Sequence, residues 1–505
     1  MKSLYRFLTF AAGILGTVSL AAQDPILVIN EKKEEIRPAI TVTLTGERLE
    51  QIKDINGANG AASMKYGDDQ FREEYFKALQ IPIIRAHDLP HHDPGLHPCD
   101  LDHIFPIETA DPSKRENYDF SVTDEYVRMV YNDLGTKIMW RLGSSIENMD
   151  EYHYETHPPK SNKAWAESAA NVIEHYTNGK WDGFHYDIEY WEIWNEPDNK
   201  HCWTGTQEEF FDLYITAATY LKKRFPHLKI GGPALCSSRN KWVKPFIEAC
   251  AEAEAPLDFF SYHGYVYKEG DDSGMVHSAD ELRGWLDAAG FTKTEIFYDE
   301  WHPINGWTNV VTKLTPDRAC LTASIMLGFQ DVPIDKAFFY TATSSRWGVI
   351  SNGKLEPVYY TIKAVGDLRA HPTRIGLKSI NMPDGARALA GIDEKGDVDI
   401  LLATYKSGKR EINFDFSAMG QFARGEIYIY DENNKLERAA CMDNPNGRMQ
   451  VNTLCNSVVA LLKLYKNAPQ TNEEKVKITA TGKTAGAIKQ LNCGNHGPSL
   501  KSYSI

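Results

Sequence analysis

Glu196 and Glu300 each close a short apolar, aromatic run. The first ends "YWEIWNE" before Pro197, and the second ends "EIFYDE" before Trp301 and His302. Runs of that composition, abruptly stopped, read as buried strands whose last side chain leaves the core. Two carboxyl groups brought from separate strands to one pocket are what glycosidic-bond cleavage requires: one protonates the leaving oxygen while the other attacks or activates water. A lone strand-end carboxylate is usually solvated or paired with a cation, so the chemistry depends on what surrounds these two. Asp299 precedes Glu300, but neighbours in a regular strand face opposite ways, so only one of them is expected to face the pocket.

Other residues bear on the same pocket. Trp203, Trp301 and Trp307 fall in expected loops, where apolar ring faces can stack on sugars; Trp191 and Trp194 lie within a strand and read as packing. The segment "RAHDLPHHDPGLHPCDLDH" holds His87, His91, His92, His97 and His103 among several aspartates. Its spacing fits neither a helical zinc motif nor a calcium loop, so it reads as a loop lining the pocket. Neither a metal nor an organic cofactor is expected.

Stepping from these residues to what must hold them, apolar runs alternate with longer amphipathic segments from about residue 50 to 350. The strands expected are "DINGANG", "IPIIRAH", "KIMWRLG", "YWEIWNEP", "LKIGGPAL", "DFFSYHGY", "EIFYDEWH" and "KAFFYTAT". Eight such strands with helices between them predict a closed (β/α)8 TIM barrel of α/β class, with chemistry at the C-terminal strand ends. Before one helix, Thr206 and Glu209 have the spacing of a capping box. After about residue 370 the rhythm changes to short strands such as "DVDILLATY" and "SVVALLKLY" separated by Gly, Asp and Asn turns, which predicts an antiparallel, sandwich-like β-domain. The expected division is a signal peptide over 1–22, the barrel over 23–370 (with early residues available to the β-domain), the β-domain over 371–466 and a polar tail over 467–505.

At 505 residues, 42% of them apolar and 25% charged, the chain suits a barrel with a smaller companion domain. A net charge of −14 and the lack of any Lys/Arg stripe argue against nucleic acid. Lys2 and Arg6 precede an apolar stretch from Phe7 to Leu20 and then small residues, the pattern of an export signal, implying a periplasmic or extracellular protein. No later segment approaches the length of a membrane span, and the eight cysteines show no metal-knuckle spacing.

The motifs also resemble a family. "WEIWNEPDNKHCW" looks like the acid/base strand of clan A glycoside hydrolases, most closely family 39, which includes β-xylosidases and α-L-iduronidases. "IIRAHD", "FSYHGY" and "YDEWH" are similar to its second, sixth and nucleophile strands, and the likeness runs over roughly residues 50 to 370. The resemblance implies Glu196 as general acid/base and Glu300 as nucleophile, with Asn195 on the sugar 2-hydroxyl. It also implies that Arg85, His87, His263 and Tyr265 contact the sugar or the carboxylates, with Trp203 as a matching aromatic. A general acid is expected to have a raised pKa, here partly through the Glu300 anion. On the eighth strand, where family members commonly carry a Trp, "FFYTATSSRWGV" offers Thr341 or a neighbour, and Arg346 raises the prospect of an acidic sugar.

The sequence thus predicts an exported retaining glycosidase acting on oligosaccharides or glycans, with β-xylosidase-like specificity as the first expectation. An arabinosidase or uronidase of the same clan and a catalytically silent carbohydrate-binding barrel are its rivals.

Overall fold

Strand β1 (Ile40–Gln51) leads into eight strands that close a parallel barrel. These are β2 (Asn56–Asn59), β3 (Ile83–Ala86), β4 (Lys137–Leu142), β5 (Tyr190–Ile193), β6 (Lys229–Leu235), β7 (Phe259–Val266), β8 (Glu295–Ile304) and β9 (Lys336–Phe339). They coincide with the eight runs picked out in the sequence. The computed structural model describes residues 37–62, 73–87, 97–144, 156–266, 273–304, 315–344, 347–351 and 353–467. The expected signal peptide, nearly all of the polar tail, His91, His92, Trp307 and Arg346 lie outside them. No helix among the described residues is long and apolar enough to cross a membrane.

Period-two alternation builds the barrel interior in layers. Ile83, Met139, Tyr190, Phe259, Phe297 and Phe338 form an apolar layer inside the barrel. Two residues further along five of those strands stand Arg85, Arg141, Glu192, Ser261 and Asp299, all fully buried. The interior therefore changes from hydrocarbon to charge within one repeat of each strand, just below the C-terminal face. Residues of opposite parity, such as Ile84, Ile138, Trp140, Trp191 and Ile296, pack outward in a second core with the surrounding helices.

Three of those helices begin after a residue whose side chain accepts from one of the first N–H groups, namely Ser161, Thr206 and Thr315. At Gln207–Arg224, Thr206 and Glu209 form the expected capping box, with Thr206 N donating to Glu209 Oε2 at 2.7 Å and Glu209 N to Thr206 Oγ1 at 3.2 Å. After the barrel come a small hairpin, β10 (Ile350–Ser351) and β11 (Lys354–Leu355), and a helix at Pro357–Asp367.

The second sheet contains β12 (Thr373–Ile380), β13 (Arg387–Ile392), β14 (Val398–Thr404), β15 (Glu411–Asp415), β16 (Arg424–Tyr430), β17 (Lys435–Asp443), β18 (Arg448–Asn452) and β19 (Val458–Tyr465). Its order is β17-β16-β19-β14-β13-β12-β1-β15-β18, so a strand from before the barrel lies within it. Every pair is antiparallel except β1 with β15. On β14, Ile400 and Leu402 enter the sheet's own core, whereas Leu401 and Ala403 join the core shared with the barrel helices. That two-sided burial explains the unbroken apolar runs in "DVDILLATY" and "SVVALLKLY".

Candidate active site

Arg85 is the centre of the site. Its guanidinium is fully buried, and it donates from Nε to Glu192 Oε2 at 2.7 Å, from Nη1 to Glu300 Oε1 at 2.6 Å and Asn59 Oδ1 at 3.2 Å, and from Nη2 to Asn195 Oδ1 at 2.7 Å. Burial alone would lower its pKa, but Glu192, Asp299 and Glu300 outweigh that and raise it. A rigid fork of donors suits this task, since one side chain on β3 fixes groups from β2, β5 with the turn after it, and β8.

Glu300 is almost fully buried and is surrounded by donors. Besides Arg85 it meets His87 Nε2 at 3.1 Å and the Tyr265 hydroxyl in a short hydrogen bond. Arg141 Nε donates to His87 Nδ1 at 3.1 Å, so the imidazole proton sits on Nε2, aimed at Glu300. Arg141 is itself paired with Asp100. Burial, then the Glu300 charge, push the Tyr265 phenol well above its usual value and keep it a donor. Three donors thus converge on this one carboxyl group.

Glu196 has a different shell. His263 Nδ1 lies 2.7 Å from Oε1, Asn199 Nδ2 donates to Oε2 at 2.9 Å, and Cys202 Sγ reaches Oε2 at 3.6 Å. Burial alone would raise this carboxyl, but the hydrogen bond and charge of His263, helped by Asn199 and Cys236, hold it down to about 2. Burial likewise opposes charge on His263, yet Glu300, Asp299 and the bond to Glu196 raise that imidazole well above 6.5. The raised carboxyl expected from the sequence is therefore corrected. In the unliganded site the pair is carboxylate and imidazolium, and the proton sits one hydrogen bond from the acid.

Irregular backbone brings these side chains inward. Past the end of β5, Trp194 and Glu196 adopt φ of 74° and 46°, left-handed values rare for such residues. The chain leaves its pleat there, so the consecutive Asn195 and Glu196 reach Arg85 and His263 respectively. Gly143 makes room, because a Cβ at that position would lie 2.9 Å from the Trp194 ring. On β8, Tyr298 pairs with Tyr262 but Glu300 with His263, leaving Asp299 as an extra residue. This bulge overturns the expectation that Asp299 and Glu300 face opposite ways. Asp299 Oδ2 lies 3.3 Å from Arg85 Nε, so both residues point inward, with Asp299 fully buried beneath the mouth.

An oxygen of Glu196, an oxygen of Glu300 and a His263 ring nitrogen all lie within 4.8 Å of one another. Arg85 and the His263 imidazolium already supply positive charge to this cup. The barrel thus brings together seven of the nine expected residues: Glu196, Glu300, Asn195, Arg85, His87, His263 and Tyr265.

The other two are corrected to packing positions. Trp203 is 2% exposed, donates from Nε1 to Thr206 O at 2.8 Å and packs edge-on against Trp194 and Phe210. Trp301 is 1% exposed and packs edge-on against Phe329 and Phe339, because the residue after the bulge turns outward. The ring cluster beside Glu300 comes instead from residues the sequence reading passed over. Tyr340, rather than Thr341, lies 5.7 Å from the Tyr265 ring, and the half-buried Trp347 lies 5.9 Å from it and 5.1 Å from His302. Burial and Arg318 lower the His302 pKa to about 3, so that ring is neutral. Glu192, Asn59 and Asn199 were also missed. Glu192 alone left a signal, since it shares the parity of Tyr190 on its strand.

Residues 96–354, just over half of the chain, match glycosyl hydrolases family 39. A β-xylosidase of Geobacillus stearothermophilus is 35% identical over 117 residues, 22% of each chain. Another of Caldicellulosiruptor saccharolyticus is 33% identical over 129 residues, 25% of each. The matched stretch thus spans about a quarter or less of those relatives. A solved glucosidase from Croceicoccus marinus shares the fold with a TM-score of 0.72 at 22% identity, over 85% of this chain and all of that one.

Proposed function

The chain belongs to glycosyl hydrolases family 39, and we propose that it cleaves glycosidic bonds with retention of anomeric configuration. The observation that carries this reading is the pair of unlike carboxylates with oxygens within 4.8 Å, a spacing that suits the short separation of retaining chemistry. Glu300 attacks the anomeric carbon as the bond to the leaving oxygen breaks. That oxygen takes a proton from Glu196 Oε1, which draws it from His263 Nδ1 across their 2.7 Å bond. Esterification removes the Glu300 charge. Glu196 then takes a proton from water and returns one to His263, while the hydroxide displaces Glu300 from the sugar.

Asn195 serves the same reaction. Its Oδ1 is held by Arg85, so its NH2 group is the end left for a sugar hydroxyl. Tyr265, Tyr340 and Trp347 offer ring faces beside Glu300. We propose β-xylosides as the first substrates to try, on the strength of the two named relatives, and export on the strength of the N-terminal pattern.

The test is a panel of aryl xyloside, arabinosides, glucoside, galactoside, fucoside and uronides, followed by proton NMR of the first-formed anomer. Hydrolysis of one member with retention, lost in both Glu196→Gln and Glu300→Gln, is expected. An inverted first product overturns the retaining assignment. Sugar binding without turnover overturns the hydrolase reading in favour of a silent binder.

A further inference from the structure

Beneath the reacting carboxylates lies a second pair with too few donors. Glu192 and Asp299 are both fully buried, and Glu192 Oε1, Asp299 Oδ1 and Asp299 Oδ2 have no hydrogen-bond partner. Both residues approach the same Arg85 nitrogen, Nε, at 2.7 and 3.3 Å, and a single N–H cannot satisfy two carboxylates. Three of the other four Arg85 N–H groups go to Glu300, Asn59 and Asn195. Apart from the Ser261 contact to Glu192 and His263 Nε2 at 3.6 Å from Asp299 Oδ2, these two buried anions share one donor, which is costly, and a shared proton is the usual resolution.

We infer that Glu192 and Asp299 hold one proton between them, carried on Glu192 Oε1 and donated to Asp299, so that the floor of the site bears one negative charge rather than two. A proton there converts one orphaned acceptor into a donor and supplies a partner to another. The placement on Glu192 follows from the surroundings. Asp299 Oδ2 faces a second cation, His263, with Nε2 at 3.6 Å, whereas Glu192 has none besides Arg85. Burial, reinforced by the neighbouring Asp299, raises the Glu192 carboxyl against the opposing pull of Arg85. The other groups around the pair are Glu300 on β8, Ser261 and Tyr262 on β7 and Tyr214 from the helix outside β5.

This charge state does not depend on the proposed reaction, although its use does. With the pair at one charge, Arg85 and His263 face three anions (Glu196, Glu300 and Asp299) instead of four. Glu192 is then a positioning residue whose neutral carboxyl holds Arg85 Nε without drawing the guanidinium away from Glu300. Asp299 is, with Glu300, one of the groups that keep His263 charged, and through it supports the proton supply to Glu196.

Infrared difference spectroscopy and NMR of the intact chain test this without any substrate. At pH 7 the wild type is expected to show the carbonyl stretch of a protonated carboxyl, shifted in D2O and absent in Glu192→Gln. In protein labelled at histidine, the His263 titration is expected to hold its position in Glu192→Gln, where one neutral group replaces another, and to move to lower pH in Asp299→Asn. The absence of a protonated carboxyl signal in the wild type overturns the inference, and that measurement stands even if a variant fails to fold. A His263 titration that falls in Glu192→Gln overturns it as well, because a charge has then been removed. Failure of the glycoside panel leaves both readouts intact.

Discussion

Glu300, within β8, and Glu196, just past the end of β5, bring oxygens within 4.8 Å of each other, yet their neighbours treat them differently. Glu300 accepts from Arg85, His87 and Tyr265: one permanent cation, one imidazole with its proton fixed by Arg141, and one phenol. None of these readily gives its proton away. Glu196 is bonded to His263, whose proton is mobile because acid and base lie 2.7 Å apart and Asp299 and Glu300 crowd the ring. The contrast teaches that the two roles are set by the donors rather than by the carboxyl groups, which are chemically the same.

The comparison breaks most completely at Glu300. Glu300→Gln removes the proposed nucleophile and is expected to lower kcat on an aryl glycoside on the order of ten-thousand-fold or more. Glu196→Gln is expected to spare the first step with a good leaving group, which needs little protonation, so burst kinetics on a nitrophenyl glycoside separate the two residues. Equal losses in both steps and both variants would contradict the division of roles.

Removing Arg85 is expected to damage the fold as well as the chemistry. It holds three carboxylates and two amides in a dry interior, and a lost partner there leaves charges uncompensated. Arg85→Ala is expected to cost about 3–5 kcal/mol of stability, measured by urea unfolding. Arg85→Lys keeps the charge but cannot reach Glu192, Glu300 and Asn195 together, and should recover only part of the loss.

How much of this was legible in the sequence differs between the same two carboxylates. Apolar runs located all eight barrel strands because their burial is continuous, and Glu196 stood out at an abrupt strand end, but β8 runs on through Trp301 to Ile304, so Glu300 lies within its strand rather than at its end. Arg85, His87 and His263 followed from the family motifs. What escaped were departures from regular geometry. A bulge turned Asp299 inward and Trp301 outward, and left-handed residues at Trp194 and Glu196 broke the parity that would have predicted neighbours. Trp203 looked like a loop residue, but the turn after Pro197 folds it onto the helix that follows. Trp347 reaches the Tyr265 ring from beyond the last barrel strand, a contact that no local pattern encodes.

His263→Gln sharpens the comparison by removing the mobile proton while leaving Glu300's three donors in place. The loss in kcat is expected to be about a hundredfold, the scale of general acid–base assistance. The sign of the pH effect is fixed by the raised imidazole. The wild type has its proton store below the His263 pKa and loses it as pH rises through that value, so its alkaline limb lies above the ordinary histidine range of 6.5. In the variant, with the cation gone, the Glu196 carboxyl moves up from about 2 and the limb falls with it. Stability follows the opposite limb. Glu196, depressed from 4.5 to about 2, contributes stability above 4.5 that is lost as pH falls toward 2, and the variant should lack that acid transition.

The smallest effect distinguishes rings that stack on substrate from rings that only pack. Trp347 is half-buried beside Tyr265 and Tyr340, so truncating it removes a face near the glycone while the barrel core stays filled. An aromatic contact of about 0.5–1.5 kcal/mol corresponds to roughly a two- to tenfold rise in KM for Trp347→Ala, with kcat little changed. Trp203 is wedged between Trp194 and Phe210 with its indole nitrogen bonded to Thr206 O, so Trp203→Ala should cost about 3–5 kcal/mol of stability and leave KM where it was. Paired urea unfolding and KM measurements decide between these assignments. Exchanged results would mean that the packed ring swings out to meet the sugar and that the wall at Glu300 is scaffold.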